Sequence, residues 1–204
     1  MNKQQSYRGN RIPYEYFITS GKGESDAGSS GLPYETGSYD AALTDAGINN
    51  VNVIKYSSMV PPQSKIISKQ KALKNINWGE VMECIQAESS GPKGSKLSAA
   101  VITTDIIDPN GKYLGGIACE YSGNQSKKEL EQSLCVSIKE IVERRNFGRI
   151  NKSIKIGKSY ITDKGFTIIP GKHFIYDTMI VKKSHGTVIA SLCFVSYIYP
   201  ALKK

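Results

Sequence analysis

"KYSSMVPP", Lys55 to Pro62, sets two adjacent serines between an extended apolar run and a pair of prolines. On these eight residues alone the plain reading is a polar turn at a strand end, because Ser and Pro are ordinary turn residues. Upstream, "NVNVIKY" (Asn50–Tyr56) alternates and predicts a strand that runs straight into Ser57 and Ser58. Downstream, Pro61 pushes Val60 toward extended geometry, so the chain leaves the serines extended as well.

Working outward, "YEYFITS" (Tyr14–Ser20) predicts a strand and the Gly/Ser-rich "GKGESDAGSSGLPYETG" a long loop. "SYDAALTDAG" predicts a short helix with Ser38 as N-cap, Asp40 in its first turn and Gly47 at its end. "EVMECIQAE" (Glu80–Glu88), "LSAAVITTDII" (Leu97–Ile107) and "LGGIACEY" (Leu114–Tyr121) predict strands. "DPNGK" (Asp108–Lys112) makes a hairpin turn between the last two, and "GPKGSK" (Gly91–Lys96) is a loop. The clearest helix opens at the capping box Ser126–Glu129, shows an apolar stripe of Leu130, Leu134, Ile138 and Ile141, and stops by Gly148. From Ile150 to Tyr199 the pattern returns to strands. The mixed order of elements favours a single α+β domain over residues 1–204, with mostly antiparallel sheet.

Composition narrows the function classes. Hydrophobic residues make up 39% of 204, enough for a sizeable core. No apolar run reaches the ~20 residues of a membrane span, and "MNKQQSYRGNRIP" lacks a signal-peptide core, so a soluble cytoplasmic protein without membrane contact is expected. Cys84, Cys119, Cys135 and Cys193 form no CxxC pair, and His173 and His185 are not spaced with them as ligands. Buried reduced thiols and no metal are therefore expected. The net charge of +9 is spread unevenly: from Gly23 to Ile54 there are five acids (Glu24, Asp26, Glu35, Asp40, Asp45) and no Lys or Arg. A local negative field suits a cationic small molecule, although acids also simply solvate loops. The lysines are scattered without aromatic interleaving, which speaks against nucleic acid.

No P-loop, GxGxxG, HExxH or GxSxG occurs. The two histidines sit alone in strand-like runs and are read as sheet residues, and Trp78 as a packing residue. What remains is Ser57-Ser58. A serine hydroxyl held in a strained turn can attack the carbonyl of the preceding residue, and the resulting ester can eliminate to dehydroalanine and hydrolyse to a pyruvoyl group.

The stretches "YDAALTDAGINNVNVIKYSSMVPPQSKII" (Tyr39–Ile67) and "LGGIACEYSGNQSKKELEQ" (Leu114–Gln132) resemble the pyruvoyl-dependent arginine decarboxylases. The spacing of Asp40, Gly47, Asn52, Ser57-Ser58 and the two prolines carries the resemblance, and the Gly/Ser loop resembles an insertion of the chlamydial branch. Tyr56 departs from it, being bulkier than the residue usual there, as do Asn49 and a longer tail after Ile150. The resemblance implies a four-layer αββα sandwich, self-cleaved into residues 1–57 and 58–204 and assembled as a homotrimer with sites between neighbours. It implies that Ser58 becomes the pyruvoyl cofactor, an electron sink for loss of CO₂ from an amino acid. It further implies Glu120 as proton donor, Asn52 as a donor to the reacting carbonyl, and Asp40 as partner of the L-arginine guanidinium, a planar fork that a carboxylate matches. Leu43, Val51 and Met59 are expected around the substrate methylenes. The expected activity is conversion of L-arginine to agmatine and CO₂. Two alternatives stand beside it, a decarboxylase of another amino acid and an unprocessed basic binding protein of the same fold.

Overall fold

Strand-forming runs outweigh helical ones, and the computed structural model, which describes residues 10–26, 34–74 and 76–200, arranges them as two five-stranded sheets and a small two-stranded ladder. In chain order the elements are β1 (Ile12–Pro13), β2 (Glu15–Ser25), α1 (Tyr34–Ala46), β3 (Asn52–Lys55), β4 (Met59–Val60), β5 (Lys65–Ile66), α2 (Lys69–Leu73), β6 (Val81–Pro92), β7 (Lys96–Ile107), β8 (Tyr113–Gly123), α3 (Lys127–Arg144), β9 (Tyr160–Ile161), β10 (Thr167–Ile180), β11 (His185–Phe194) and β12 (Tyr197–Ile198). One sheet has the order β4-β8-β7-β10-β9 and is antiparallel throughout. The other has the order β3-β6-β11-β2-β5, with an antiparallel centre and parallel pairings at both edges. β1 and β12 pair separately. The fold is thus mixed α and β with mostly antiparallel sheet, as expected.

Three apolar clusters hold these elements. Ile85 and Ala87 of β6, Leu97 and Val101 of β7, Ala118 of β8, and Val188, Leu192 and Phe194 of β11 form a cluster shared by the two sheets. Alternate residues Ile102 and Ile117 turn the other way and meet Leu130, Leu134, Ile138 and Val142 of α3. Phe17, Cys84, Ile189 and Cys193 of the second sheet meet Ala42, Leu43 and Ala46 of α1 and Ala72 of α2. The central strands β7 and β11 are buried on both faces, which explains their almost continuous apolar sequences. All four cysteines are buried.

The α3 helix begins where expected. Ser126 Oγ accepts from the Glu129 N–H, and the Glu129 carboxylate accepts from the Ser126 N–H at 2.8 Å. Val142 takes the fourth place of its stripe, four residues after Ile138, and Ile141 is half-buried.

The α1 helix departs from expectation in two ways. It starts at Tyr34, so Ser38 lies within the helix and is not its N-cap. The Ser38 hydroxyl is fully buried, lies 2.8 Å from Thr187 Oγ1 and 3.0 Å from His185 Nδ1, and can donate to the Glu35 carbonyl. Further, Gly21–Ser25, read as the start of the long loop, continues β2. The glycines there are packing residues: a Cβ at Gly21 would stand 2.2 Å from the Ala42 carbonyl oxygen, and one at Gly23 would stand 2.4 Å from the Ala42 nitrogen. α1 therefore lies directly on the β2 backbone, an approach only glycine allows. β6 likewise extends through Gly91 and Pro92 into the predicted loop, leaving a short turn before β7. Trp78, read as packing, is 85% exposed. Polar residues 1–12 read as a frayed terminus, yet Ile12 pairs with Ile198 in β1; residues 1–9 and the centre of the Gly/Ser loop over 27–33 lie outside the described residues.

Candidate active site

Residues Asn52–Val60 carry the chain from one sheet to the other. β3 is the edge of the second sheet, where its residues Asn52–Lys55 pair in parallel with Val81–Cys84. The Tyr56 N–H donates to the Cys84 carbonyl at 2.7 Å, the last bond to that sheet. β4 is the edge of the first sheet and pairs with β8, Met59 opposite Ile117 and Val60 opposite Gly116. The Ala118 N–H donates to the Ser58 carbonyl at 2.8 Å, the first bond to this sheet. Ser57 and Ser58 are thus the hand-over between two pinned edges.

Within the hand-over the Met59 N–H donates to the Ser57 carbonyl at 3.1 Å, closing a three-residue turn around Ser58. Among the described non-glycine residues only Asn146 has a positive φ, so this turn is the inverse form rather than the strained one. The strained turn expected from the sequence has no positive-φ residue behind it; hydrogen bonds at Tyr56, Ser57 and Ser58 fix the turn. Ser57 is exposed and Ser58 is half-buried. The arrangement can polarise the Ser57 carbonyl while holding the Ser58 carbonyl rigid.

Sequence reading missed the reason for the glycine pair in "LGGIACEY". Gly115 has φ +104°, and a Cβ there would stand 2.6 Å from the Val60 carbonyl oxygen and 3.0 Å from the Pro62 nitrogen. No other residue lets β8 come this close to the segment after the serines. The signal was two adjacent glycines inside a strand pattern, which marks close backbone approach. After the hand-over, the Ser64 N–H donates to the Pro61 carbonyl at 3.0 Å and turns the chain toward β5.

Glu120 lies two residues beyond Ala118 on β8, hence on the same face, that of the cluster shared by the sheets. The residue is exposed overall, at the rim of that cluster. The protein around its carboxyl still removes enough water to hold it above the usual carboxylate range, against a smaller opposing effect from its own backbone N–H. Met59 is 45% exposed, and its sulfur receives Nη1 of Arg145, the C-cap of α3, at 2.9 Å.

The other candidate residues lie elsewhere in the chain. Asp40 is exposed on α1, one turn before Leu43. Leu43 and Val51 share the apolar cluster beneath that helix. Asn52 starts β3, and its side-chain amide donates to the Gly79 carbonyl at 2.8 Å. Two groups result: Ser57, Ser58, Met59 and Glu120 at the hand-over, and Asp40, Leu43, Val51 and Asn52 on the side of α1 and β3. Among the described residues no hydrogen bond or ion pair joins them.

Comparison with known proteins bears on this geometry. Residues 15–198 match the family described as pyruvoyl-dependent arginine decarboxylase. A protein of that name from Chlamydia caviae is 30% identical over 180 residues, covering 78% of this chain and 92% of its own. One from Chlamydia abortus is 31% identical over 183 residues with the same coverage. A pyruvoyl-dependent arginine decarboxylase of Archaeoglobus fulgidus is 33% identical over 113 residues, 55% of this chain and 66% of its own.

Proposed function

Because the chain belongs to the pyruvoyl-dependent arginine decarboxylase family, we propose that it cuts itself between Ser57 and Ser58, turns Ser58 into the family's pyruvoyl group, and converts L-arginine to agmatine and CO₂. The observation that carries this reading is the hand-over turn, in which the Met59 N–H donates to the Ser57 carbonyl beside the Ser58 side chain.

The processing chemistry balances on the chain's own atoms. Ser58 Oγ attacks the Ser57 carbonyl carbon, and the C–N bond breaks as an ester forms and the Ser58 amine is freed. Loss of the Ser58 α-proton expels the Ser57 carboxylate. The resulting dehydroalanine isomerises to an imine, takes up water and releases ammonia, leaving a ketone. The Met59 N–H stabilises charge that develops on the Ser57 oxygen, the role of an oxyanion-hole donor, worth about 3 kcal/mol per bond. Asn52, whose amide in this structure donates to the Gly79 carbonyl, is proposed as a second donor after leaving that bond.

The residues present fit the pyruvoyl group. The Ser58 carbonyl, which becomes the amide next to the ketone, is already held by the Ala118 N–H at 2.8 Å. When formed, the group supplies an electron sink for the pair left by departing CO₂. Glu120, kept protonated to higher pH by its surroundings, holds the proton that the substrate carbon takes back. Asp40 pairs with the guanidinium, and Leu43, Val51 and Met59 enclose the methylenes. Among the described residues no hydrogen bond or ion pair joins Asp40 to the hand-over, and the site is proposed to be completed between neighbours in a homotrimer of cleaved chains. The three apolar clusters support a four-layer αββα sandwich, with α1 and α3 on the outer faces. No helix among the described residues is long and apolar enough to cross a membrane, and a cytoplasmic enzyme is proposed.

Intact-mass measurement of active protein tests the proposal. Two species corresponding to residues 1–57 and 58–204, the second with a ketone in place of its amine, are expected. A single unbroken chain in active material would exclude it.

A further inference from the structure

One residue before the hand-over, a charged cluster built on one buried carboxylate stands at the rim of the cluster shared by the sheets. Glu83 of β6 is only 5% exposed. Its carboxylate is paired with the Arg11 guanidinium, which reaches it through Nη2 and, at 3.3 Å, through Nε. The Tyr56 and Tyr197 hydroxyls face the same carboxylate. Arg11 also lies over the Tyr197 ring, 4.8 Å from its centre, and the Tyr56 ring lies 6.0 Å from that of Phe194. The Tyr197 hydroxyl is buried without a hydrogen bond of normal geometry, and the Tyr56 hydroxyl faces the carboxylate without one as well, so a small shift is needed to close both contacts. Burial alone would raise the Glu83 carboxyl, but the facing Tyr197, Tyr56 and Arg11 outweigh burial and hold it below its ordinary value. Burial, followed by the nearby carboxylate, raises the Tyr56 hydroxyl to about 12.

The cluster straddles the proposed cut. Arg11 and Tyr56 belong to residues 1–57, whereas Glu83 and Tyr197 belong to residues 58–204. The adjoining β1–β12 ladder, Ile12 opposite Ile198 and Pro13 opposite Tyr197, crosses it in the same way. Tyr56 is also the residue whose N–H makes the last bond to the second sheet before the serines.

We infer that Arg11, Tyr56, Glu83 and Tyr197 form a positioning network for self-processing: Glu83, paired with Arg11, faces the Tyr56 hydroxyl, and closing that contact sets the Ser57 carbonyl against Ser58 Oγ. This rests on the proposed cleavage at Ser57–Ser58. Backbone bonds fix the turn on its Ser58 side through Ala118. On the Ser57 side the next residue is Tyr56, anchored by one backbone bond and by its side chain. A ring free to tilt there lets the carbonyl drift, and misplacement of reacting groups by a fraction of an ångström slows an intramolecular attack steeply. Once the bond is cut, the same contacts keep the new chain end at Ser57 from leaving.

The test follows cleavage over time by intact mass in newly synthesised protein. Removing Arg11 alone would orphan the buried Glu83 charge and endanger the fold. The variants are therefore Tyr56→Phe, which keeps the ring and loses the hydroxyl, and the paired Arg11→Gln/Glu83→Gln, which removes both charges together. Tyr56→Phe is expected to cut about tenfold more slowly, the rate equivalent of one hydrogen bond to a charged group, with an unchanged thermal midpoint. The paired variant is expected to be slower still. Added hydroxylamine, which splits esters, should not restore the rate, because the fault lies in forming the ester. A wild-type rate in Tyr56→Phe overturns the inference, as does rescue by hydroxylamine. If the paired variant fails to fold, the Tyr56→Phe rate decides alone. A wild-type chain that never cuts defeats the cleavage proposal itself, a result distinct from cutting that ignores Tyr56.

Discussion

The two groups of candidate residues are held by different means. Around Ser57 and Ser58 the backbone does the holding, through hydrogen bonds from the Tyr56, Met59 and Ala118 N–H groups while the side chains stay partly open to solvent. Around Asp40 the side chains do it. Leu43 and Val51 pack beneath α1, and the helix rests on the bare backbone of Gly21 and Gly23. A bond fixed by its neighbours' amides can break while the core stays intact. Asp40, the proposed recognition group, is instead carried on a packed helix and stands exposed. The chemistry and the recognition are thereby separable, and substitutions can pull them apart.

The largest effect expected is that of Ser58→Ala, which removes the attacking hydroxyl. The protein should fold, remain a single chain by mass and show no turnover, while α1 and its cluster are untouched. Next is Glu120→Gln, which should leave the cut intact and lower turnover by roughly 10²- to 10⁴-fold, the usual contribution of a general acid. Wild-type turnover should fall as pH rises through the elevated Glu120 value, and the variant should lack that limb. The same shift bears on stability. Stabilisation tied to protonated Glu120 is fully present below the ordinary carboxylate value and is lost as pH rises through the elevated one, so the thermal midpoint should decline across that window.

Asp40→Asn should then raise KM for arginine, with a loss of about 10- to 100-fold in kcat/KM. That corresponds to the roughly 1.5–3 kcal/mol of a hydrogen bond to a charged group, and the mass spectrum should still show two chains. Equal turnover of a neutral amino acid by wild type and variant would sharpen the assignment of Asp40 to the guanidinium, and unchanged arginine kinetics would break it. Smallest in energy is Gly23→Ala, whose new methyl would meet the Ala42 backbone. A loss of about 1–3 kcal/mol in denaturant unfolding is expected for such overpacking, with weaker arginine binding and unimpaired cleavage. Impaired cleavage in that variant would show the two regions to be coupled after all.

The legibility of the chain follows the same division. The α3 helix could be read because its capping box and its apolar residues spaced by four are local facts, visible whatever packs against them. The β7–β8 hairpin could be read because Asp108–Lys112 is turn chemistry, and the Asp108 carboxylate duly accepts from the Asn110 and Lys112 N–H groups. The α1 helix was harder. It covers its sheet with Ala42, Ala46 and the buried Ser38 rather than with a stripe of large residues, so its start was placed five residues late. Gly21 and Gly23 looked like loop because their purpose lies in a helix some twenty positions away.

By itself the sequence determined the class of the fold, the ordered run of strands, the α3 helix, and the pairing of Ser57 with Ser58 between a strand and two prolines. These depend on neighbours in the chain, where propensity, alternation and capping operate. Only the tertiary structure decided that the serines bridge two sheets, that Gly115 exists to admit Val60 and Pro62, and that Arg11 meets Glu83 across 72 positions. Such contacts depend on which surfaces come together when two sheets and their helices bury apolar area, and no local pattern records which distant residue will be opposite.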